Sequence, residues 1–158
     1  MDDYRFLEMA FSEAVRGRAA GQIPIGCVIV NGSGDVVASD HNRIDELGDP
    51  TAHAEMLAIR SAISRKDGGR MQDWTLYSAL EPCPMCMGTI IMCHVGRVVW
   101  AAPDRRIAAR ELLSASAYMR SRTLNVAACP YPDLEQKCSE IHDVYWISNG
   151  RPDAVHPI

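Results

Sequence analysis

Apolar side chains recur at Leu7, Ala10, Phe11, Ala14 and Val15, the spacing of one helix face over residues 4 to 20. Asp2 and Asp3 stand at the positive end of that helix and Gly21 where its C-terminal cap belongs, so the pattern predicts a helix lying on a sheet. The run Cys27-Val28-Ile29-Val30 is apolar without alternation, as a strand covered on both faces requires. Asn31-Gly32-Ser33-Gly34-Asp35 is a turn signal, and Val36-Val37-Ala38-Ser39 returns as the second strand of a hairpin. From His41 to Pro50 the chain is polar and reads as a loop. Thr51 is the predicted N-cap of the next helix, with Ala52, His53 and Ala54 in its first turn, an end near Arg65 and Gly68-Gly69 closing the unit. Thr75 to Leu80 is a strand, and Pro82 suits the first residue of a helix that continues through Met87, Ile90, Ile91 and Met92 to His94. Past Gly96 come a strand at Val98 to Ala101, a helical segment from Arg105 to Met119 and a strand at Leu124 to Ala127. A last helix runs from Asp133 to Tyr145, and Ser148 to Ile158 is irregular.

A hairpin followed by strand–helix alternation gives an α/β class, with a largely mixed five-stranded sheet between helices. At 158 residues the chain suits one catalytic domain over 1–158, with no repeat, linker or low-complexity stretch. The acidic start has no apolar stretch like a signal peptide, and no run is long enough to span a bilayer. A cytoplasmic protein without a membrane partner is therefore expected. A reducing cytosol would keep the six cysteines as thiols, with Cys27, Cys93, Cys129 and Cys138 expected as small buried hydrophobes. The net charge of −4 and pI of about 5.7 lack the whole-domain signature of a polyanion binder. That weighs against nucleic acid as a partner, although a local basic face can operate on an acidic protein.

The chemistry concentrates in His53-Ala54-Glu55 and Pro82-Cys83-Pro84-Met85-Cys86. A lone CxxC is ambiguous between metal ligand and redox pair, and a lone histidine is more often a structural side chain. Together the two stretches offer an imidazole, two thiols and a carboxylate at successive strand-to-helix junctions. Cys83 and Cys86, three apart at a helix start, can hold one metal, and helix N-termini favour thiolates and an ionised Glu. Three protein ligands, His53, Cys83 and Cys86, leave a fourth Zn²⁺ position open, which marks a catalytic rather than a structural site. Glu55 is the expected proton carrier and catalytic residue.

HxE followed by PCxxC resembles the zinc deaminases of the cytidine deaminase superfamily. The likeness is closest to the branch of bacterial guanine deaminases, fungal-type cytosine deaminases and tRNA adenosine deaminases, and it covers about residues 5 to 103. It implies a three-layer α/β/α fold with sheet order 2-1-3-4-5 and a homodimer paired through the cysteine helix, whose Met85, Met87, Ile91 and Met92 are apolar. It also implies that Asn42 hydrogen-bonds the base edge, that Pro24 and Gly26 bring a backbone wall close to the ring, and that the amides of Ala54 and Cys83 donate towards a ring oxygen. Core motifs would lie in 24–103, with 104–158 as a substrate-specificity segment and C-terminal lid.

Beyond Pro103 the chain departs from its relatives. Arg105 to Met119 carries Glu111 as its only carboxylate, and there is neither a Gly-rich loop nor a basic terminal helix. Tyr145 and Trp146 can stack on a base as a lid or pack as core aromatics, and Asp143 can supply a carboxylate from the same side. Arg105, Arg106, Arg110, Arg120 and Arg122 read as a solvated helix face more readily than as an RNA contact, because Asp104 and Glu111 interrupt them. The sequence therefore favours hydrolytic removal of an exocyclic amine from a small free nucleobase or analogue (guanine, a cytosine-like ring or an aminotriazine). The alternative is a tRNA adenosine deaminase acting in the anticodon loop. Glu55 argues against a non-catalytic zinc-binding relative.

Overall fold

In the computed structural model, residues 2–65, 71–104, 109, 112–122 and 124–155 are described. Five strands form one mixed sheet in the order β2-β1-β3-β4-β5, made of β1 Gly26–Val30, β2 Val36–His41, β3 Thr75–Leu80, β4 Arg97–Ala102 and β5 Asn125–Ala128. β1 is antiparallel to both neighbours, and the β3–β4 and β4–β5 pairs are parallel. Parallel pairs need helical crossovers. The helices are α1 Asp3–Ala19, α2 Ile44–Leu47, α3 Ala54–Ser64, α4 Pro84–Met92, α5 Leu112–Ala115, α6 Ala117–Arg120 and α7 Pro132–Ser148.

The two faces of the sheet make two cores because successive side chains point to opposite sides. Cys27, Ile29, Leu76, Val98 and Trp100 pack with Ala58 and Ile59 of α3 and with Met87 and Ile90 of α4. Val28, Val30, Tyr77, Val99 and Ala101 pack with Phe6, Leu7 and Ala10 of α1 and with Leu134 and Cys138 of α7. Helices on both faces complete the three layers. β1 and β3 are buried at every position, which is why their sequences show no alternation.

Local chemistry shifts several boundaries. Thr51 does not cap a helix; its amide and hydroxyl both donate to Asp49, at 2.8 and 2.7 Å. His53 takes the N-cap position of α3, and α4 opens on Pro84 rather than Pro82, with Cys83 as its N-cap. The polar loop after His41 contains α2, ended by Gly48 at φ 59°, with the Gln22 side chain accepting from the Asp45 amide at 3.0 Å. Val15, placed by periodicity on the inner face of α1, is exposed, and Glu13 and Gly17 are buried there instead. Cys27 and Cys138 are buried, whereas Cys93 and Cys129 are half-buried. Gly68-Gly69 and Arg105, Arg106, Arg110 and Glu111 lie outside the described residues. At the N-terminal edge of β3 and β4, Asp3 receives Arg97 bidentately at 2.7 and 2.6 Å and the Tyr77 hydroxyl at 2.7 Å, tying α1 to the sheet. Among the described residues no helix is long and apolar enough to cross a membrane.

Candidate active site

β3 ends at Leu80 and β1 begins at Gly26, and at this end of the sheet α3 and α4 both begin. His53 and Cys83 occupy their N-cap positions in extended conformation, φ −71° and −66°, yet neither side chain caps its own helix. Both turn instead towards Cys86. His53 Nδ1 lies 3.6 Å from Cys83 Sγ, and one ligand atom each from His53, Cys83 and Cys86 lie within 4.8 Å of one another. Two sulfurs and an imidazole nitrogen in one cluster at two positive helix ends make a donor set that fits Zn²⁺ with an open position.

Glu55, one residue into α3, is 2 % exposed. The Ser78 hydroxyl donates to its Oε1 at 3.2 Å and the Cys86 thiol to its Oε2 at 3.5 Å, fixing the carboxylate beside the cluster without placing it in it. Burial raises the Glu55 pKa. A hydrogen bond from Cys86, reinforced by His53, draws the Cys83 thiol down to about 4, while the Cys83 sulfur and burial push the Cys86 thiol up. The His53 imidazole is raised by its hydrogen bond to Cys83.

A cavity of about 140 Å³ opens on these groups, lined by Asn42, His53, Glu55 and Cys83 together with residues that the motifs do not announce. Asn42 is 1 % exposed; its Oδ1 accepts from the Ile44 amide at 3.2 Å, and its Nδ2 has no hydrogen-bond partner among the described residues. Ile23 and Ile25 line the cavity from the segment whose backbone, at Pro24 and Gly26, the resemblance brings close to the ring. The intervening Pro24 is buried away from it, and Gly26 packs on α1, where a Cβ would stand 2.1 Å from the Ala10 carbonyl oxygen. Ala54 is buried in the core beneath the site, with its side chain outside the lining. Trp146 does line the cavity, as part of α7, which continues past Tyr145 to Ser148. Asp143 does not: a helix turns about 100° per residue, and the α7 side chain one turn before Trp146 is His142. Leu80, Glu81, Asp104 and His142 complete the lining. Glu81 borders the cysteine motif, and Asp104 follows the fourth strand. Nothing in the local sequence marks either as facing the cavity.

The family model for the cytidine and deoxycytidylate deaminase zinc-binding region matches residues 1–102. The chain belongs to this deaminase family. His53, Cys83 and Cys86 could hold a metal ion. The tRNA-specific adenosine deaminase of Aquifex aeolicus is 40 % identical over 101 residues, 64 % of this chain and 66 % of that protein. A chloroplastic tRNA(adenine(34)) deaminase of Arabidopsis thaliana is 40 % identical over 107 residues, 68 % of this chain and 8 % of that far longer protein. The match thus spans just under two thirds of the bacterial relative and a small part of the plant one.

Among solved structures, one from a study of A-to-I editing by tRNA:A34 deaminases at the wobble position is 31 % identical, with a TM-score of 0.74 over 87 % of this chain and 99 % of that one. Guanine deaminase from Bacillus subtilis is 39 % identical with a TM-score of 0.61 over 70 % of each chain. The expectation of a small free nucleobase as substrate and partner is overturned by the tRNA-specific adenosine deaminases at 34–40 % identity. That expectation rests on the net charge, which reports the far field of the whole molecule, and on the lack of a Gly-rich loop and a basic terminal helix, whereas an RNA loop is held by local contacts.

Proposed function

We propose that the chain deaminates an adenosine in a tRNA anticodon loop, converting it to inosine with release of ammonia. The observation that carries this reading is the group of relatives at 34–40 % identity that are tRNA-specific adenosine deaminases. The cavity supports it: about 140 Å³ is small against the 300 Å³ or more of pockets for drug-sized ligands, so it suits a single base turned out of its loop with the ribose outside.

His53, Cys83 and Cys86 would hold the zinc. When bound it supplies a Lewis acid that acidifies a water at neutral pH. Glu55, held by Ser78, accepts a proton from the attacking water and delivers it to the ring nitrogen beside the carbon under attack. It then carries the second proton to the amine, which leaves as ammonia while the carbon keeps the oxygen. Overall one water is consumed, one C–N bond breaks and one C–O bond forms. Asn42 turns its unpartnered Nδ2 to an acceptor on the base, while Ile23, Ile25 and Leu80 pack on the ring and exclude water. The whole chain reads as a single domain. Self-association through α4, where Met92 is 59 % exposed, is part of the same proposal.

Zinc-loaded protein incubated with an adenosine-bearing anticodon stem-loop, and separately with adenosine, adenine, guanine and cytosine, tests the reading. Inosine should form in the stem-loop; ammonia from the free compounds alone would overturn it.

A further inference from the structure

α7 carries a stripe at four-residue intervals: Leu134, Cys138, His142 and Trp146. The first two are buried and apolar and pack on the sheet. The stripe becomes polar and aromatic where it passes the cavity, although His142 is as buried as its predecessors, at 1 % exposure. A side chain needed only for packing would continue the apolar pattern there.

The pair also has defined geometry. The Trp146 indole Nε1–H donates to His142 Nε2 at 3.0 Å, with the rings edge-on at 6.1 Å and 78°. Tyr145 stands edge-on to the same indole at 5.2 Å, and the Arg151 guanidinium lies 5.9 Å from its ring centre. The indole is thus oriented by its hydrogen bond to His142 and by contacts with His142, Tyr145 and Arg151, on the side of the cavity formed by the C-terminal half of α7.

We propose that His142 is a positioning residue: it locks the Trp146 indole as the fixed wall against which the turned-out base is seated. The proposal rests on the reading of the site as a pocket for a single base. Stacking on an aromatic side chain tolerates any base, so the wall supplies binding while Asn42 and Glu55 supply recognition and chemistry. A wall fixed before the base arrives has no rotamer freedom to lose on binding.

A double-mutant cycle on zinc-loaded protein tests this with the stem-loop as substrate. His142→Leu should raise KM about tenfold with kcat within about twofold. His142→Gln, whose amide oxygen can accept the indole N–H, should restore KM. Trp146→Phe should resemble His142→Leu, and the double variant should be no worse than either. Unchanged KM in His142→Leu, failure of Gln to rescue, or additive effects would overturn the proposal. A separate readout keeps the lock distinct from the substrate assignment. In NMR spectra the indole N–H resonance of Trp146, identified by its loss in Trp146→Phe, should exchange slowly with water in the wild type and faster in His142→Leu. Equal exchange overturns the lock whatever the substrate. A wild type that fails to convert the stem-loop overturns the assignment of substrate and leaves this measurement to decide the lock.

Discussion

Helices reach the cavity in two ways. α3 and α4 begin there, each straight off a connection from the sheet, and bring their ligands on the cap residue and first turn. α7 crosses the cavity well into its length and contributes only a stripe. A helix start places a short contiguous motif, because cap and first-turn side chains share one small volume with the unsatisfied amides. A crossing helix places residues four apart whose spacing is also that of ordinary core packing. Chemistry is therefore written contiguously in this chain and the walls of the pocket are not.

The largest effect should come from the helix starts. His53→Ala, or prolonged chelation of the wild type, should abolish deamination, with activity after chelation restored by added zinc; elemental analysis gives the metal content. Turnover by metal-free protein would break the contrast at its root. Glu55→Gln should retain zinc and lower kcat about 10² to 10⁴-fold, separating the proton carrier from the ligand His53 on the same helix. Asn42→Ala, which removes a donor on neither kind of helix, should raise KM about tenfold and leave the zinc in place.

Gly26→Ala tests the residue that the sequence placed at the ring and the structure places against α1. The clash with the Ala10 carbonyl should destabilise the fold by about 1–3 kcal/mol in denaturant unfolding. Smallest is an effect at the opposite edge of the sheet, roughly 17 Å along β4 from the cavity. Hydrogen bonds from Arg97, and then from Tyr77, hold the Asp3 carboxyl below its ordinary pKa. A depressed folded pKa means that this contribution to stability is complete above the unfolded value of about 3.9 and is lost as pH falls through the lower folded value. Asp3→Asn should flatten that part of the acid limb in unfolding measured below about pH 4.

The inner strands were legible in detail, Thr75–Leu80 to the residue, because β1, β3 and β4 are buried on both faces and read as mainly apolar runs without alternation. The metal cluster was legible because its donors lie in two short motifs. Thr51, a good capping residue, leaves the cap of α3 to His53 because its own hydroxyl and amide donate to Asp49. Pro24 and Gly26 alternate with the lining residues Ile23 and Ile25, and nothing in the sequence says which face of that extended segment the cavity takes. Asp143 lies one residue, a helix rotation of about 100°, from the lining His142. Glu81 and Asp104 are buried acids whose approach to the pocket exists only once β3 and β4 lie side by side.

The cap positions of α3 and α4 have one more consequence. His53 and Cys83 end their connections, begin their helices and offer their side chains to the metal, so loading the ion and closing the first helical turn form one linked equilibrium. An ion in the cluster stabilises the native state by the excess of its binding there over its binding to the same thiols and imidazole in the unfolded chain. Zinc supply in a cell would then set how long each copy of the chain survives proteolysis, and not only how many copies are active.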